Sequence, residues 1–383
     1  MKKPKLMNLA QEVGVKYSIF SEENIDFSQE PYFLGSGRNV SRLDLNIEKW
    51  IENLINKGQG LSWFKHDFSY TKDAKDFSLL TPELQRLFLQ NLKFQTALDS
   101  MATRTVLEVF KPVTTNPQLE TWWTNHGYQE SIHSESYAEL IKALPINSTR
   151  VFDEIMVSPQ ILDRVRSIIK RFDDTVIWNA KRLLELEDYN LEEHKKSLVF
   201  SLFALHILEA GLFQTSFITT FAFAENKIME SSGKSMGKIA KDEINHKALT
   251  QYLINKLRRD SQWKYIFENN KAEILEMYKE AYTADFMWID YIFEGNVRLL
   301  GLNANILKEY AKYNMYNALK AVGLEPFVDK VNDNPCSWAT KYTNTSNMQV
   351  ALNEADGVNY LLGIVDKEMT NEDYQEFKLW EDF

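Results

Sequence analysis

The stretch from Ser197 to Ala224 reads SLVFSLFALHILEAGLFQTSFITTFAFA and is nearly all apolar. It is long enough to span a bilayer, which takes about 20 residues. His206 and Glu209 fall in its middle, and Gln214 and several Ser and Thr interrupt it. A helix that is apolar on every side also suits the centre of a bundle. A central ionisable group favours that second placement, because an ionised carboxylate buried in apolar surroundings needs a compensating partner. The run therefore predicts a buried core helix, not a membrane span, with other helices around it and a partner for Glu209.

The rest of the chain can supply those helices. With 14 Gly and 9 Pro in 383 residues, breakers are scarce, and the abundance of Leu, Lys and Glu favours helix. Residues 1–40 read as an irregular arm ending at Gly35-Ser36-Gly37, and a helical pattern starts near Leu43. Thr81 followed by Pro82 forms an N-cap with proline at the first helical position, predicting a helix to about Val109. Further helices are expected over 119–143, 160–187, 193–226, 235–258 and 270–296. No segment shows sustained strand alternation, so the expected class is all-α. The single cysteine, Cys336, permits neither an intrachain disulfide nor a cysteine zinc site. The basic N-terminus lacks a continuous apolar segment, and a reducing cytoplasm is the expected compartment.

A net charge of −10 argues against nucleic acid as the main partner. Much of the charge is at one end: residues 354–383 hold nine acidic and two basic side chains, a net of −7. The same stretch carries Tyr360, Leu361, Leu362, Tyr374, Phe377, Leu379, Trp380 and Phe383. Solvated tails seldom hold so many large apolar groups. The expected organisation is one helical domain over 1–345 and a docking tail over 346–383.

Two E-x-x-H motifs carry the chemistry: Glu130-Ser131-Ile132-His133 and Glu243-Ile244-Asn245-His246. Residues three apart share a helix face, so each motif can offer an oxygen and a nitrogen to one point. One copy arises easily by chance in an acidic helical chain. The pair gains weight because Asp99 lies 31 residues before Glu130 and Glu209 lies 34 before Glu243. Each half then reads carboxylate helix, connection, E-x-x-H helix, the pattern of ferritin-like two-metal bundles, with Asp in one lone position. Four carboxylates balance two divalent cations, and two imidazoles complete the set. Carboxylate with some imidazole suits iron or manganese. Tyr137 is four residues after His133 and shares its face. By geometry alone it is either a core tyrosine or a redox tyrosine oxidised by the metal centre.

These segments resemble the small subunits of class I ribonucleotide reductases. The resemblance is carried by Leu98-Asp99-Ser100, Ser131-Ile132-His133-Ser134 through Tyr137, Leu208-Glu209-Ala210 and Asp242-Glu243 through His246. Gly301-Leu302-Asn303, Ala321-Val322-Gly323-Leu324 and Tyr360-Leu361-Leu362-Gly363 support it, in order from about Gly35 to the C-terminus. It implies a ferritin-like bundle with flanking helices, a homodimer, and two iron ions per chain, with manganese as the other metal choice. It further implies that Asp99, Glu130 and His133 hold one iron, that Glu209, Glu243 and His246 hold the other, and that Glu130 and Glu243 bridge them. Tyr137 would carry a radical in an apolar pocket of Phe213, Phe217 and Ile239. Asp242 would orient His133. Trp63 and Tyr360 would relay the radical to a separate large subunit, which reduces the ribonucleotide. Without a P-loop or G-x-G-x-x-G, this chain is expected to act only with that partner.

Three positions depart from the family pattern. Glu135 stands where Arg is common, Gln214 where an aromatic is common, and His206 where the family has no ligand. A stand-alone di-iron oxidase or desaturase and a ferritin-type storage protein share the ligand set. Neither requires Tyr137 or an acidic aromatic tail.

Overall fold

The computed structural model describes residues 19–344 except Glu23, Asn46 and Asn296. Among them the only β pairings are the isolated bridges Phe33–Thr114 and Leu299–Leu302. Everything else regular is helical. The helices are α1 (Lys49–Gly60), α2 (Thr71–Leu79), α3 (Pro82–Thr105), α4 (Pro117–Ala143), α5 (Ser148–Ile155), α6 (Pro159–Leu183), α7 (Leu191–Ile207), α8 (Phe213–Glu225), α9 (Glu230–Arg259), α10 (Lys264–Asn269), α11 (Lys271–Ile292), α12 (Ala304–Ala321) and α13 (Thr340–Thr343). The expected long helices are all present, with ends shifted by a few residues. The helical pattern near Leu43 begins as a 3-10 turn over Leu43–Leu45, with α1 following from Lys49. The expected boundary at 345/346 and the acidic tail lie outside the described residues.

Local chemistry explains the helix starts. The side chains of Thr81, Asn116, Asn147, Asn190 and Asn303 each accept a hydrogen bond from a backbone N–H in the first turn that follows, satisfying donors that a helix cannot pair internally. The long helix α9 is different. It starts after Met229, whose φ of 54° is left-handed, and its own N-cap side chain makes no cap bond. Asp73 of α2 supplies the cap from across the fold: its carboxylate accepts from Ser231 N at 3.1 Å, Ser232 N at 2.6 Å and Ser232 Oγ at 2.6 Å. A buried anion there also complements the positive end of the helix dipole.

Four helical positions form the core. α3 packs on α4 and α8, and α9 packs on α7, α8 and α4. α6 and α11 flank α7, and α1 covers α4. The 35-residue helical stretch Leu191–Glu225 is long and apolar enough to cross a membrane, yet 94% of its most apolar window is buried inside the protein. It is the central helix of the bundle, as its buried acid predicts.

Among the described residues two segments take π geometry, and the sequence pattern did not signal either one. Val106–Phe110 at the end of α3 and Leu208–Leu212 between α7 and α8 are π-helical. A π turn widens the coil and disturbs the i to i+4 ladder. Side-chain amides serve the carbonyls at both places. Asn179 Nδ2 donates to the Glu108 and Val109 carbonyls at 3.1 and 2.9 Å. Gln214 Nε2 donates to the Glu209 carbonyl at 2.9 Å, and Asn314 donates to that of Ala210.

The cross-fold cap yields a stability expectation. Asp73→Ala leaves three donors at the start of α9 without their acceptor, which should cost about 2–4 kcal/mol. Denaturant unfolding of the variant should show a lower midpoint at an unchanged slope. A midpoint equal to that of the parent would mean the cap contributes nothing.

Candidate metal centre

The six expected ligands converge. Asp99 comes from α3, Glu130 and His133 from α4, Glu209 from the π turn, and Glu243 and His246 from α9. All six are 0% exposed. Donor atoms of Asp99, Glu130, His133 and Glu243 lie within 4.8 Å of one another, as do those of Glu209, Glu243 and His246.

The two shared carboxylates are arranged reciprocally. Glu130 presents Oε2 to His133 Nδ1 at 3.5 Å and Oε1 to His246 Nδ1 at 3.1 Å. Glu243 presents Oε1 to His133 Nδ1 at 3.3 Å and Oε2 to His246 Nδ1 at 3.3 Å. Each carboxylate thus offers one oxygen to each imidazole, the disposition a bridge between two cations requires. Several buried polar atoms lack a hydrogen-bond partner: both oxygens of Asp99, Glu130 Oε2, Glu209 Oε1, Glu243 Oε1 and His133 Nδ1. Buried polar groups are normally paired. Orphaned donors of this kind, gathered in one place, fit two bound cations.

The outward nitrogens are held. His133 Nε2 is 3.1 Å from Asp242 Oδ2, and His246 Nε2 is 3.0 Å from Gln129 Oε1. A proton on each Nε2 leaves the Nδ1 lone pair facing the centre, as metal-binding histidines need. Gln129 ties the two sides together, since its Nε2 donates to Asp242 Oδ1 at 3.1 Å. Thr250 Oγ1 donates to Glu209 Oε2 at 2.8 Å and steadies the acid on the π turn.

The electrostatics follow from burial. Burial, then Glu130, pushes the Asp99 carboxyl well above its usual range. Burial also raises Glu209, against the pull of His246. Burial works against ionised Glu130 too, but its contacts with His126, His133 and His246 outweigh that and hold it well below the usual value. Burial opposes a charged His246, yet Glu243 and Glu130 raise it to about 10. Cations bound among these groups would displace the protons that the raised carboxyls and imidazole favour.

Tyr137 is buried on α4. Burial, then the Asp99 carboxylate, raises its phenol well above the ordinary value. Its hydroxyl faces Met236 Sδ at 3.8 Å. Phe213, Phe217 and Ile239 are buried as expected, and the Phe213 and Phe217 rings stack at 5.6 Å. Trp63 is buried and donates from Nε1 to Asp242 Oδ2 at 2.8 Å. Its ring lies nearly parallel to that of His133, with centroids 5.9 Å apart. Trp63, Asp242 and His133 therefore form a continuous line from the α1–α2 connection to the centre. Tyr360 lies outside the described residues. The departures are accounted for locally. Glu135 pairs with Lys65 at 2.9 Å on the surface, and Gln214 serves the π turn. His206 bonds Tyr278 OH at 2.6 Å and Gln251 Nε2 at 3.1 Å.

Three residues at the centre were not singled out from the sequence. Gln129 and Met236 carry no signal beyond adjacency to a motif or its helix. His126 does carry one: it precedes Glu130 by four residues and so shares its helix face. Its Nε2 is 3.1 Å from Glu130 Oε1.

Known proteins are similar to this chain over most of its length. The subunit beta of ribonucleoside-diphosphate reductase 1 from Salmonella typhimurium is 33% identical over 381 residues, spanning 95% of this chain and 100% of the relative. The subunit beta of Enterobacteria phage T4 is 31% identical over 385 residues, spanning 94% and 99%. In fold, the ribonucleotide reductase R2 subunit from Clostridium botulinum superposes with a TM-score of 0.73 at 21% identity, covering 86% of this chain and 98% of that one. A dimanganese(II) protein of Streptococcus sanguinis superposes with a TM-score of 0.63 at 17% identity, covering 81% and 99%. The family model for the ribonucleotide reductase small chain matches residues 46–335, and with relatives this similar along the whole length, the chain belongs to the ribonucleotide reductase small-chain family.

Proposed function

We propose that this chain is the radical-generating subunit of a class I ribonucleoside-diphosphate reductase, a cytoplasmic homodimer that works only with a large catalytic subunit. The observation that carries the reading is the reciprocal placement of Glu130 and Glu243, each with one oxygen toward His133 and one toward His246. Asp99, Glu130 and His133 would hold one ion, and Glu209, Glu243 and His246 the other, with iron as the metal at both. When bound, such a centre supplies with dioxygen the one-electron oxidising power that a buried tyrosine needs.

The chain's own residues manage protons and access. Oxidation of Tyr137 releases one electron and one proton. The Asp99 carboxylate is the charged group that acts most strongly on this phenol, so it is suited to receive that proton. The buried surroundings exclude water that would quench a radical. Trp63 can surrender an electron while passing its Nε1 proton along the hydrogen bond to Asp242. Tyr360 would extend this route to the large subunit, and the acidic tail would dock there, its apolar side chains giving affinity and its charges steering the encounter.

Three measurements test this. Glu243→Ala removes one shared carboxylate, and metal analysis after anaerobic loading should find fewer than two ions per chain; two ions retained would speak against the site. Tyr137→Phe deletes only the hydroxyl. It should load metal normally, give no tyrosyl signal in electron paramagnetic resonance, and lose turnover at least about a thousandfold, roughly 4 kcal/mol in barrier terms. Full turnover would point to a different oxidant. Deleting residues 364–383 should keep the Tyr137 signal and weaken binding to the large subunit at least about tenfold, whereas Tyr360→Phe should keep binding and stop nucleotide reduction. Undiminished binding of the truncated chain would reduce the tail to a solvated end.

A further inference from the structure

His126 is a buried imidazole at the centre that neither E-x-x-H motif includes. It lies one turn before Glu130 on α4 and is 1% exposed. Its Nε2 is 3.1 Å from Glu130 Oε1 and 3.4 Å from Glu209 Oε1. His246 Nδ1 approaches the same Glu130 oxygen at 3.1 Å. The His126 and His246 rings stack with centroids 3.5 Å apart. Donor atoms of His126, Glu130 and His246 all fall within 4.8 Å of one another.

Donors about 2.1 Å from one ion and at right angles to each other are roughly 3 Å apart. The spacings from His126 Nε2 to the two carboxylates, and from His246 Nδ1 to Glu130, match that separation. A simple hydrogen bond to Glu130 would account for one of these distances. It would not require the same nitrogen to face Glu209, nor the ring to lie flat against His246. Nδ1 of His126 has no hydrogen-bond partner, so the ring's polar contacts are all on the Nε2 side.

We propose that His126 is a seventh protein ligand, binding through Nε2 to the ion held by Glu209 and His246. That ion then carries two imidazoles and its neighbour one. Imidazole suits iron, whereas carboxylate and water suit manganese, so the extra nitrogen biases this position toward iron. The inference rests on the two-metal reading above and goes beyond it.

A crystal structure of the full chain loaded anaerobically with Mn(II) decides the matter. The expected result is two ions, with His126 Nε2 within about 2.4 Å of one of them. Two ions with that nitrogen more than roughly 3 Å from either, hydrogen-bonded to a carboxylate, would overturn the ligand role and leave the metal centre standing. No bound ion would overturn both. In solution, His126→Phe should bind its weaker Mn(II) at least about tenfold less tightly than the parent, with its helical circular dichroism unchanged. Parent-like affinity for both ions in that variant would also refute the ligand role.

Discussion

Seven ionisable side chains, the six expected ligands and His126, share one buried space in the middle of a helical bundle, and the surrounding architecture answers that burden. Placing an ion in such a space costs on the order of several kcal/mol before any compensation. Here the groups compensate one another. Three imidazoles lie among the carboxylates, and Asp99 and Glu209 shift toward their neutral forms as burial dictates. The compensation is incomplete, as the unpartnered oxygens of Asp99, Glu130, Glu209 and Glu243 indicate. Bound cations would complete the compensation, and their binding would then stabilise the fold as well as the centre.

The helices that deliver these groups bend their own rules to do so. Glu209 sits on a π turn inside the most apolar helix of the protein. A regular helix there would close its backbone ladder without help. The π turn instead relies on Gln214 and Asn314 for the Glu209 and Ala210 carbonyls. Asn179 performs the same service at the end of α3, and is itself fixed by His194 at 2.8 Å. Polar residues in these buried places are therefore the means by which irregular backbone survives in a core.

Outside the ligands, the same economy of contacts links metal site and surface. Asp242 Oδ2 serves both Trp63 and His133, and its other oxygen is held by Gln129, which also holds His246. Two side chains, Asp242 and Gln129, thus fix both histidine orientations and connect them to one indole. A change at Asp242 would free the outward nitrogen of His133, and one at Gln129 that of His246, because each imidazole has one of these two as its partner.

Much of this was legible in the chain itself. The apolar run with Glu209 at its centre pointed to a buried helix with a partner for its acid, because an ionised carboxylate in apolar surroundings needs compensation. Helical spacing tied Glu130 to His133 and Tyr137, and Glu243 to His246, since residues three, four and seven apart share a face regardless of what lies opposite. What the tertiary structure decided is everything that depends on contacts between distant segments. It set Asp73 as the cap of α9, a contact spanning 159 residues to Ser232. It chose π geometry at Glu209, which depends on the partner amides of Gln214 and Asn314. It brought Trp63 to Asp242 across 179 residues, and it turned His126 toward Glu209. Periodicity specifies which side chains leave a helix together; only packing specifies what they meet.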